Sequence, residues 1–317
     1  MMSFLGELVR DAWRWCRREW CSLSVSMRVT IALLTVMSVV FAGYSVLILF
    51  FGLGFTGLDN RMTWGMWIVG DLSLIALGGG AFFTSFLLYI FRREEFRPII
   101  NSAVLIGWLC YTFTFVFLLF DVGQPLRAWF GWIYPNWGDG ILPVSMLTEV
   151  FFCISIYWCI LCVELSPIVL EHTVLHRYAP IRWTARVLHV LMWIFAAAGT
   201  FLSFFHQGSL GGTYGVLFGK PGWFRHETFF QYILSAAAAG PALTVLLTWF
   251  AGKVMKKEVV PYETFVKLAR VSGLMFIPYL LFYTYNMYVL IFVNLPAFDR
   301  SFVSLWGGYY GLWMLAV

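Results

Sequence analysis

Residues 70–98 read GDLSLIALGGGAFFTSFLLYIFRREEFRP, and the pattern of this stretch indicates the class of fold. No charged residue lies between Asp71 and Arg92, and a helix of roughly 20 mostly apolar residues is long enough to cross a bilayer. Basic and acidic residues follow at once, as they do where a helix leaves the membrane. The stretch therefore predicts a membrane-spanning helix that carries one carboxyl group, that of Asp71, inside its apolar length.

The whole chain shares this composition. Of its 317 residues, 61% are hydrophobic and 12% are charged, whereas about 25% of the residues are charged in soluble domains. We predict an all-α fold, a polytopic transmembrane bundle of at least eight spans, with the eighth incomplete because the chain ends inside it. Residues 1–28 form a predicted cytoplasmic or interfacial segment. The predicted spans cover about 29–54, 64–91, 98–120, 143–170, 184–206, 227–252, 264–293 and 303–317.

The distribution of basic residues predicts the orientation. If the N-terminus is cytoplasmic, 16 of the 21 Lys and Arg residues fall on the cytoplasmic side and 5 on the other side. Cytoplasmic loops are enriched in Lys and Arg, so this bias predicts a multi-pass protein of the cytoplasmic (inner) membrane. The net charge of +5 follows from this topology, and nothing in the sequence points to nucleic acid as a partner.

A stretch later in the chain resembles the first one. The run GGGAFFTSFLLYIF at 78–91, followed by RREEFRP, is echoed about 160 residues later by AAAGPALTVLLTWF, followed by KKEVVP. This spacing predicts two four-helix bundles in tandem, formed by spans 1–4 and spans 5–8 and related by an axis along the membrane normal.

Four polar side chains fall near the outer ends of the predicted spans. Asp71 and Glu149 both lie about 10 Å inside the outer face, counted at 1.5 Å per helical residue. Asp121 and His206 end their spans on the same side. Since an ionisable group inside the bilayer is costly, these four residues predict one functional pocket in the outer leaflet. The alternatives are a solvated helix cap at Asp121 and a helix cap at His206.

A second group lies towards the cytoplasm. It consists of Glu164, His189, Lys267 and Arg270, and Glu164 is roughly 22 Å from Glu149 along one helix. Lys267 and Arg270 alternatively contact lipid headgroups, or pair with Glu164 as structural contacts. Between the two groups lie polar residues that could organise water, namely Ser73, Thr84, Ser85, Thr200, Ser203, Tyr279, Tyr283 and Asn286.

The aromatic content favours a flat apolar ligand near the outer face. Several of the 16 tryptophans, including Trp64 and Trp67, fall at that level, where an aromatic belt is the ordinary explanation. A quinone headgroup also suits an aromatic slot beside titratable groups. Membrane haems need histidine pairs at matching depth, which the spans do not offer, and the cysteines lie in spans or on the cytoplasmic side. We therefore predict no haem and no iron–sulfur cluster in this chain.

Four motifs in register resemble one known family. TWGMWIVGDL at 63–72, FDVGQP at 120–125, TEVFFCISIYWCILCVELSP at 148–167 and HQGSLG at 206–211 are similar to motifs of the NrfD/PsrC (polysulfide reductase NrfD) family. The resemblance is strongest to the branch that contains the membrane subunit of periplasmic nickel–iron hydrogenases and related subunits of sulfate-reducer respiratory complexes.

The resemblance implies a membrane subunit without its own redox cofactor, which binds menaquinone or ubiquinone at the outer side. It also implies a periplasmic ferredoxin-like iron–sulfur subunit as partner, together with further catalytic or cytochrome c subunits, in the electron transport of anaerobic respiration. In the family, the positions of Asp71 and His206 border the quinone. The positions of Glu149 and Glu164 belong to proposed proton routes.

These observations lead to two sets of candidate residues. The predicted quinone-binding set is Trp64, Trp67, Asp71, Asp121, His206 and Gln207. The predicted proton pathway is Asp71, Glu149, Glu164, His189, Lys267 and Arg270. A secondary transporter, favoured by the repeat and by Pro241 and Pro278 in spans 6 and 7, and a non-catalytic membrane anchor are the alternatives.

Overall fold

The computed structural model consists of helices and their connections. It describes residues 13, 14, 16–18, 20–58, 66–121, 125–133, 146–170, 179–216 and 225–294. Seven helices are long and apolar enough to cross a membrane, which agrees with the predicted fold class. They are α1 (Val25–Phe51), α2 (Met66–Tyr89), α3 (Ile100–Asp121), α4 (Met146–Leu170), α5 (Ala179–Val216), α6 (Thr228–Met255) and α7 (Tyr262–Val289). The predicted eighth span and most of segment 1–28 lie outside the described residues.

Four of these helices close a ring. Helix α2 packs against α3 and α5, and α4 joins α3 to α5 on the far side. Large side chains fill the interior of the ring, among them Phe82, Tyr111 and Tyr157. Helix α6 packs on the outside of α2 and α5, and α7 packs on α6. We call the end of the bundle where α2, α4 and α6 begin the outer end, following the predicted orientation.

The grouping of spans 1–4 into one bundle is therefore wrong. The first four-helix bundle is α2–α5, because α1 makes few contacts with the other helices and most of its apolar side chains are exposed. Helix α1 is long and apolar enough to cross a membrane, but lipid is as apolar as another helix. Hydrophobicity alone therefore does not say which spans pack together.

The backbones of α2 and α6 approach each other closely where the two helices cross. A Cβ atom added at Gly80 would overlap the backbone of Gly240, and one added at Gly240 would overlap the backbone of Gly80. Close approach of this kind depends on small residues, and it takes the place of a hydrophobic driving force between helices in lipid. The mid-span glycines of the opening stretch are therefore packing residues.

The two similar stretches of sequence, in α2 and α6, also have similar local geometry around this crossing. The Thr84 hydroxyl donates to the Gly80 carbonyl at 2.8 Å, and the Thr244 hydroxyl donates to the Gly240 carbonyl at 3.1 Å. Both helices are followed by a residue with left-handed backbone, Arg92 after α2 and Lys256 after α6. The second stretch thus repeats the local structure of the first.

Helix α5 extends beyond its predicted end at His206 and continues to Val216. The loop predicted from residue 207 therefore starts later in the chain. The glycines of this extension allow close packing on the start of α6, because a Cβ at Gly211 would overlap the carbonyl of Thr228. The prolines also do not interrupt their helices, since α6 continues through Pro241 and α7 through Pro278.

The glycine crossing yields a stability prediction. We expect Gly80→Ala to lower the stability of the protein by ~1–3 kcal/mol, since the new methyl group must push apart two backbones. The matched control is Gly43→Ala in α1, where an added Cβ meets no atom within 4 Å. Thermal unfolding of the purified protein in detergent is the measurement. Equal unfolding temperatures for the two variants would contradict the close packing of α2 and α6.

Candidate functional site

A histidine and a glutamate meet at the outer end of the ring. His206 of α5 places Nδ1 3.4 Å from Oε1 of Glu149, which lies in the first turn of α4. The other carboxylate oxygen, Oε2, accepts a hydrogen bond from the Ser209 hydroxyl at 3.1 Å. The sequence separation of the two residues is large, so this contact exists only because α4 and α5 are neighbours in the ring. His206 lies inside α5, which continues to Val216, so the capping alternative for His206 is wrong.

The imidazole of His206 is enclosed. The side chain is 1% exposed, and the ring of Tyr157 lies with its centroid 5.9 Å from the imidazole centroid. Within the described part of the chain, Nε2 of His206 has no hydrogen-bond partner. Burying a polar atom without a partner is unfavourable, so such an atom is a candidate contact for a ligand.

Gln207 provides a second nitrogen of the same kind. Its side chain is also 1% exposed, and its Nε2 atom has no hydrogen-bond partner among the residues that the structure describes. A Cβ added at Gly79 of α2 would lie 3.9 Å from this nitrogen, so the amide faces the α2 backbone. Two consecutive residues of α5 thus bury nitrogen atoms that are available to a ligand.

Asp71 lies on α2, two helical turns outward of the Gly79 position that faces the Gln207 amide of α5. The Tyr111 hydroxyl connects the two helices one turn deeper, 3.5 Å from the Ile75 carbonyl and 3.5 Å from the Ser203 hydroxyl. Asp71 is one helical turn outward from Ile75, and Gln207 is one turn outward from Ser203. The Asp71 side chain is 1% exposed. The structure therefore brings Glu149, His206 and Gln207 together, and it buries Asp71 further outward on α2.

The remaining residues of the predicted quinone set differ in position. Trp67 is buried against Ile48 of α1 and Phe120 of α3, so its ring lies on the side of α2 that faces those helices. Asp121 is the last residue of α3, and its side chain lies outside the described part of the structure. Trp64 lies outside the described residues altogether. Their roles stay predictions.

The inner half of the ring holds one buried carboxyl group. Glu164 of α4 is 5% exposed, and its Oε2 atom accepts a hydrogen bond from the Ser85 hydroxyl at 3.0 Å. Its Oε1 atom has no hydrogen-bond partner among the described side chains and backbone groups. Tyr89, one turn further along α2, is close enough to interact with Glu164 electrostatically. The inner carboxyl group is thus held by α2 and lies inside the bundle.

The cationic residues predicted beside Glu164 lie elsewhere. Lys267 forms an ion pair with Glu95 at 3.2 Å, at the end of the bundle opposite the outer end. Arg270 and His189 are exposed on α7 and α5. The pairing of Glu164 with Lys267 is therefore wrong, because the α2–α3 connection supplies a closer acid to the start of α7. These three residues do not converge with Glu164.

Hydroxyl groups occupy the space between the two carboxyl groups. The Tyr157 hydroxyl donates to the Leu202 carbonyl at 2.7 Å, and the Thr200 hydroxyl donates to the Phe82 carbonyl at 2.7 Å. Ser203 and Thr84 are buried in the same ring. Asn286 instead lies between α6 and α7, where its amide donates to Gln231 at 3.0 Å, and Ser73 is exposed.

Several site residues were missed by the sequence reasoning. Ser209, Tyr111 and Tyr157 contact predicted residues but were not proposed. Helical spacing could have found two of them, since Ser209 follows His206 by three residues and Tyr157 follows Glu149 by two turns. Tyr111 gave no such signal, because its place depends on the packing of α3 against α2.

The gathered groups can exchange protons with a bound molecule in an apolar site. The carboxylate of Glu149 orients His206, as a carboxylate does for the histidine of a catalytic triad. The Nε2 atom is then free to donate to, or accept from, an oxygen of a ligand. Hydrogen bonds and proton transfer are the chemistry that these side chains offer.

Comparisons with known proteins agree on one family. Residues 54–315 match the family described as polysulphide reductase, NrfD. The integral membrane subunit of menaquinone reductase from Nitratidesulfovibrio vulgaris (strain Hildenborough) is 44% identical over 274 residues, which are 83% of this chain and 64% of that relative. The motif-based recognition is thereby confirmed.

More distant relatives belong to other respiratory enzymes. A selenate reductase subunit of Mesobacillus selenatarsenatis is 25% identical over 226 residues, which cover 65% of this chain and 52% of the relative. The probable Ni/Fe-hydrogenase 2 b-type cytochrome subunit of Escherichia coli K12 is 27% identical over 169 residues, which cover 51% of this chain and 40% of the relative. The chain spans less than two thirds of the length of each of these relatives.

The contact of Ser85 with Glu164 leads to a test by paired substitutions. We expect Ser85→Ala to cost ~1–3 kcal/mol, since it removes the partner of a buried acceptor. Glu164→Met should cost less, because it removes the buried polar group itself. Ser85→Ala should add little in the Glu164→Met background. The free energy of unfolding in detergent is measured for the native protein, the two single variants and the double variant. If Ser85→Ala costs the same in the native and the Glu164→Met backgrounds, the contact is refuted.

Proposed function

The chain belongs to the polysulphide reductase NrfD family, and we propose that it is the quinone-interacting integral membrane subunit of a respiratory oxidoreductase complex. In this role it transfers electrons between a periplasmic iron–sulfur subunit and menaquinone, with ubiquinone as the other candidate. The name of the relative with 44% identity, a menaquinone reductase subunit, favours menaquinone. The chain itself supplies the quinone site and carries no haem or iron–sulfur cluster.

The observation that carries the proposal is the buried pair of Glu149 and His206. Nδ1 of His206 is engaged by the carboxylate, while Nε2 is buried without a partner in the described part of the chain. A quinone carbonyl oxygen supplies the missing partner, and the amide nitrogen of Gln207 is a second donor at the same level. Donors that are buried before the ligand arrives suit an apolar headgroup with two carbonyl oxygens.

Reduction of a quinone consumes two electrons and two protons and yields the quinol. In the proposed reaction the iron–sulfur subunit supplies the electrons, so this chain has to supply the protons. His206 donates the proton held at Nε2 to one quinone oxygen, and Glu149 stabilises the imidazolium until that transfer. Asp71 relays the second proton. Oxidation of the quinol runs through the same groups in reverse.

The assembly follows from the same proposal. The quinone site lies at the end of the bundle that the charge pattern predicts to be periplasmic, so the iron–sulfur subunit docks at that end in the inner membrane. Further catalytic or cytochrome c subunits complete the complex, in line with relatives that are subunits of reductases and a hydrogenase. A purely structural anchor would leave the buried Asp71, His206 and Glu164 without a role.

Substitution of His206 tests the quinone assignment. We expect His206→Ala to lower quinone-linked turnover of the purified complex by ~100-fold to 10,000-fold, the contribution typical of a positioned general acid. Asp71→Asn should cause a loss of the same kind, and Glu149→Gln a smaller one because it keeps the hydrogen bond.

The matched control is Phe205→Ala, which shortens an exposed side chain next to His206 on the same helix. It should leave turnover unchanged. The amount of iron–sulfur protein that copurifies with each variant separates loss of chemistry from loss of assembly. Full turnover in both His206→Ala and Asp71→Asn would show that the quinone is bound elsewhere.

We also propose that quinone turnover moves protons across the membrane. The supporting observation is Glu164, a carboxyl group buried in the inner half of the ring with one oxygen free of partners in the described chain. Tyr157, Ser203 and Thr200 lie between Glu164 and the quinone site, where they can organise water. Protons then reach the quinone from the cytoplasmic side, which makes its reduction electrogenic.

Proteoliposomes that contain the complex test this route. We expect quinone turnover to generate a membrane potential in the native complex. Glu164→Gln should abolish the potential and slow turnover, because the amide cannot release a proton. Glu258→Gln, in an exposed position on the cytoplasmic side, is the matched control. Turnover without any potential in the native complex would exclude the route.

A further inference from the structure

Cys153 lies beside the Glu149–His206 pair, and the three side chains are of the types that bind metal ions. Cys153 follows Glu149 by one turn on α4, so both side chains extend from the same face of that helix. One carboxylate oxygen, one ring nitrogen and the Cys153 sulfur all lie within 4.8 Å of one another. The proposed quinone chemistry gives Cys153 no role.

The distances suit a tetrahedral ion. Ligand atoms at about 2.0–2.1 Å from one tetrahedral Zn²⁺ are about 3.3 Å apart, and a thiolate at about 2.3 Å lies about 3.5 Å from them. The observed distance between His206 Nδ1 and Glu149 Oε1 is 3.4 Å. The nitrogen and the oxygen therefore already have the spacing of two ligands of one ion, and the sulfur has to move by at most about 1.3 Å.

The surroundings also resemble those of a metal site. Ser209 donates to the second oxygen of Glu149, and such a bond holds a ligating carboxylate in place. His206 is fully enclosed, and its Nε2 atom remains available when Nδ1 is a ligand. A set of one thiolate, one imidazole and one carboxylate favours Zn²⁺ over Mg²⁺ or Ca²⁺, which prefer oxygen ligands only.

We propose that Glu149, Cys153 and His206 bind Zn²⁺ and that the bound ion stops quinone turnover. Binding replaces the contact between Nδ1 and the carboxylate by two bonds to the metal, and the Cys153 thiol loses its proton. The ion then prevents the carboxylate from stabilising a protonated His206, so the proton donor to the quinone is lost. The inhibitory part rests on the proposed function, whereas metal binding does not.

Co²⁺ is the probe for binding, because a cobalt–thiolate bond gives a charge-transfer absorption band. The purified complex is titrated with Co²⁺ under reducing conditions. Cys153→Ala should abolish the band, whereas Cys159→Ala, an exposed cysteine on the same helix, should leave it intact. The absence of a band that depends on Cys153 would overturn the site.

Zn²⁺ inhibition of turnover tests the second part. We expect Cys153→Ala to keep the turnover of the native complex without metal and to raise the inhibitory Zn²⁺ concentration by at least ~10-fold. Cys159→Ala should be inhibited like the native complex. If Co²⁺ and Zn²⁺ bind but turnover is unaffected, the inhibitory role is wrong. Failure of the quinone assignment is seen separately, in the metal-free turnover of His206→Ala.

Discussion

The close contact between α2 and α6 at Gly80 and Gly240 is the constraint on which the rest of the arrangement depends. In lipid, apolar side chains gain little by packing against other helices, so helices associate where their backbones can approach. Here two glycines allow that approach, and α2 is held between α6 and the ring of α3, α4 and α5. The neighbouring Gly79 faces Ser203 and Gln207, which fixes the level of the polar residues on α5. The polar residues inside the bundle are thus positioned by a contact between two backbones, in which no polar side chain takes part.

The sequence predicted the spans well because their signal is strong and local. Depth counting along the helices also predicted that Asp71, Glu149 and His206 share a level, and the structure brings Glu149 and His206 into contact. The end of α5 was predicted too early. Glycine weakens helices in water, but within lipid an unpaired backbone is costlier than a glycine in a helix. The helix therefore continues to Val216.

Other features could not be predicted because they depend on which helices are neighbours. Helical periodicity gives the direction of a side chain on its own helix and nothing about the helix it faces. The partner of Glu164 is Ser85 and the partner of Lys267 is Glu95, although a salt bridge between Glu164 and Lys267 was equally consistent with the sequence. The peripheral place of α1 was hidden in the same way, since lipid-facing and helix-facing residues are both apolar.

The pairing of a histidine with a carboxylate suits the proposed chemistry for an electrostatic reason. A charge that appears alone inside a bilayer is expensive, so a membrane site cannot accept an electron onto a quinone without a compensating charge. Protons that arrive with the electrons remove this cost, because the product quinol is neutral. In the proposed reaction, a carboxylate beside the proton-carrying histidine avoids an isolated cation. The electron carrier can then remain in another subunit, and the chain needs only proton donors and an apolar slot.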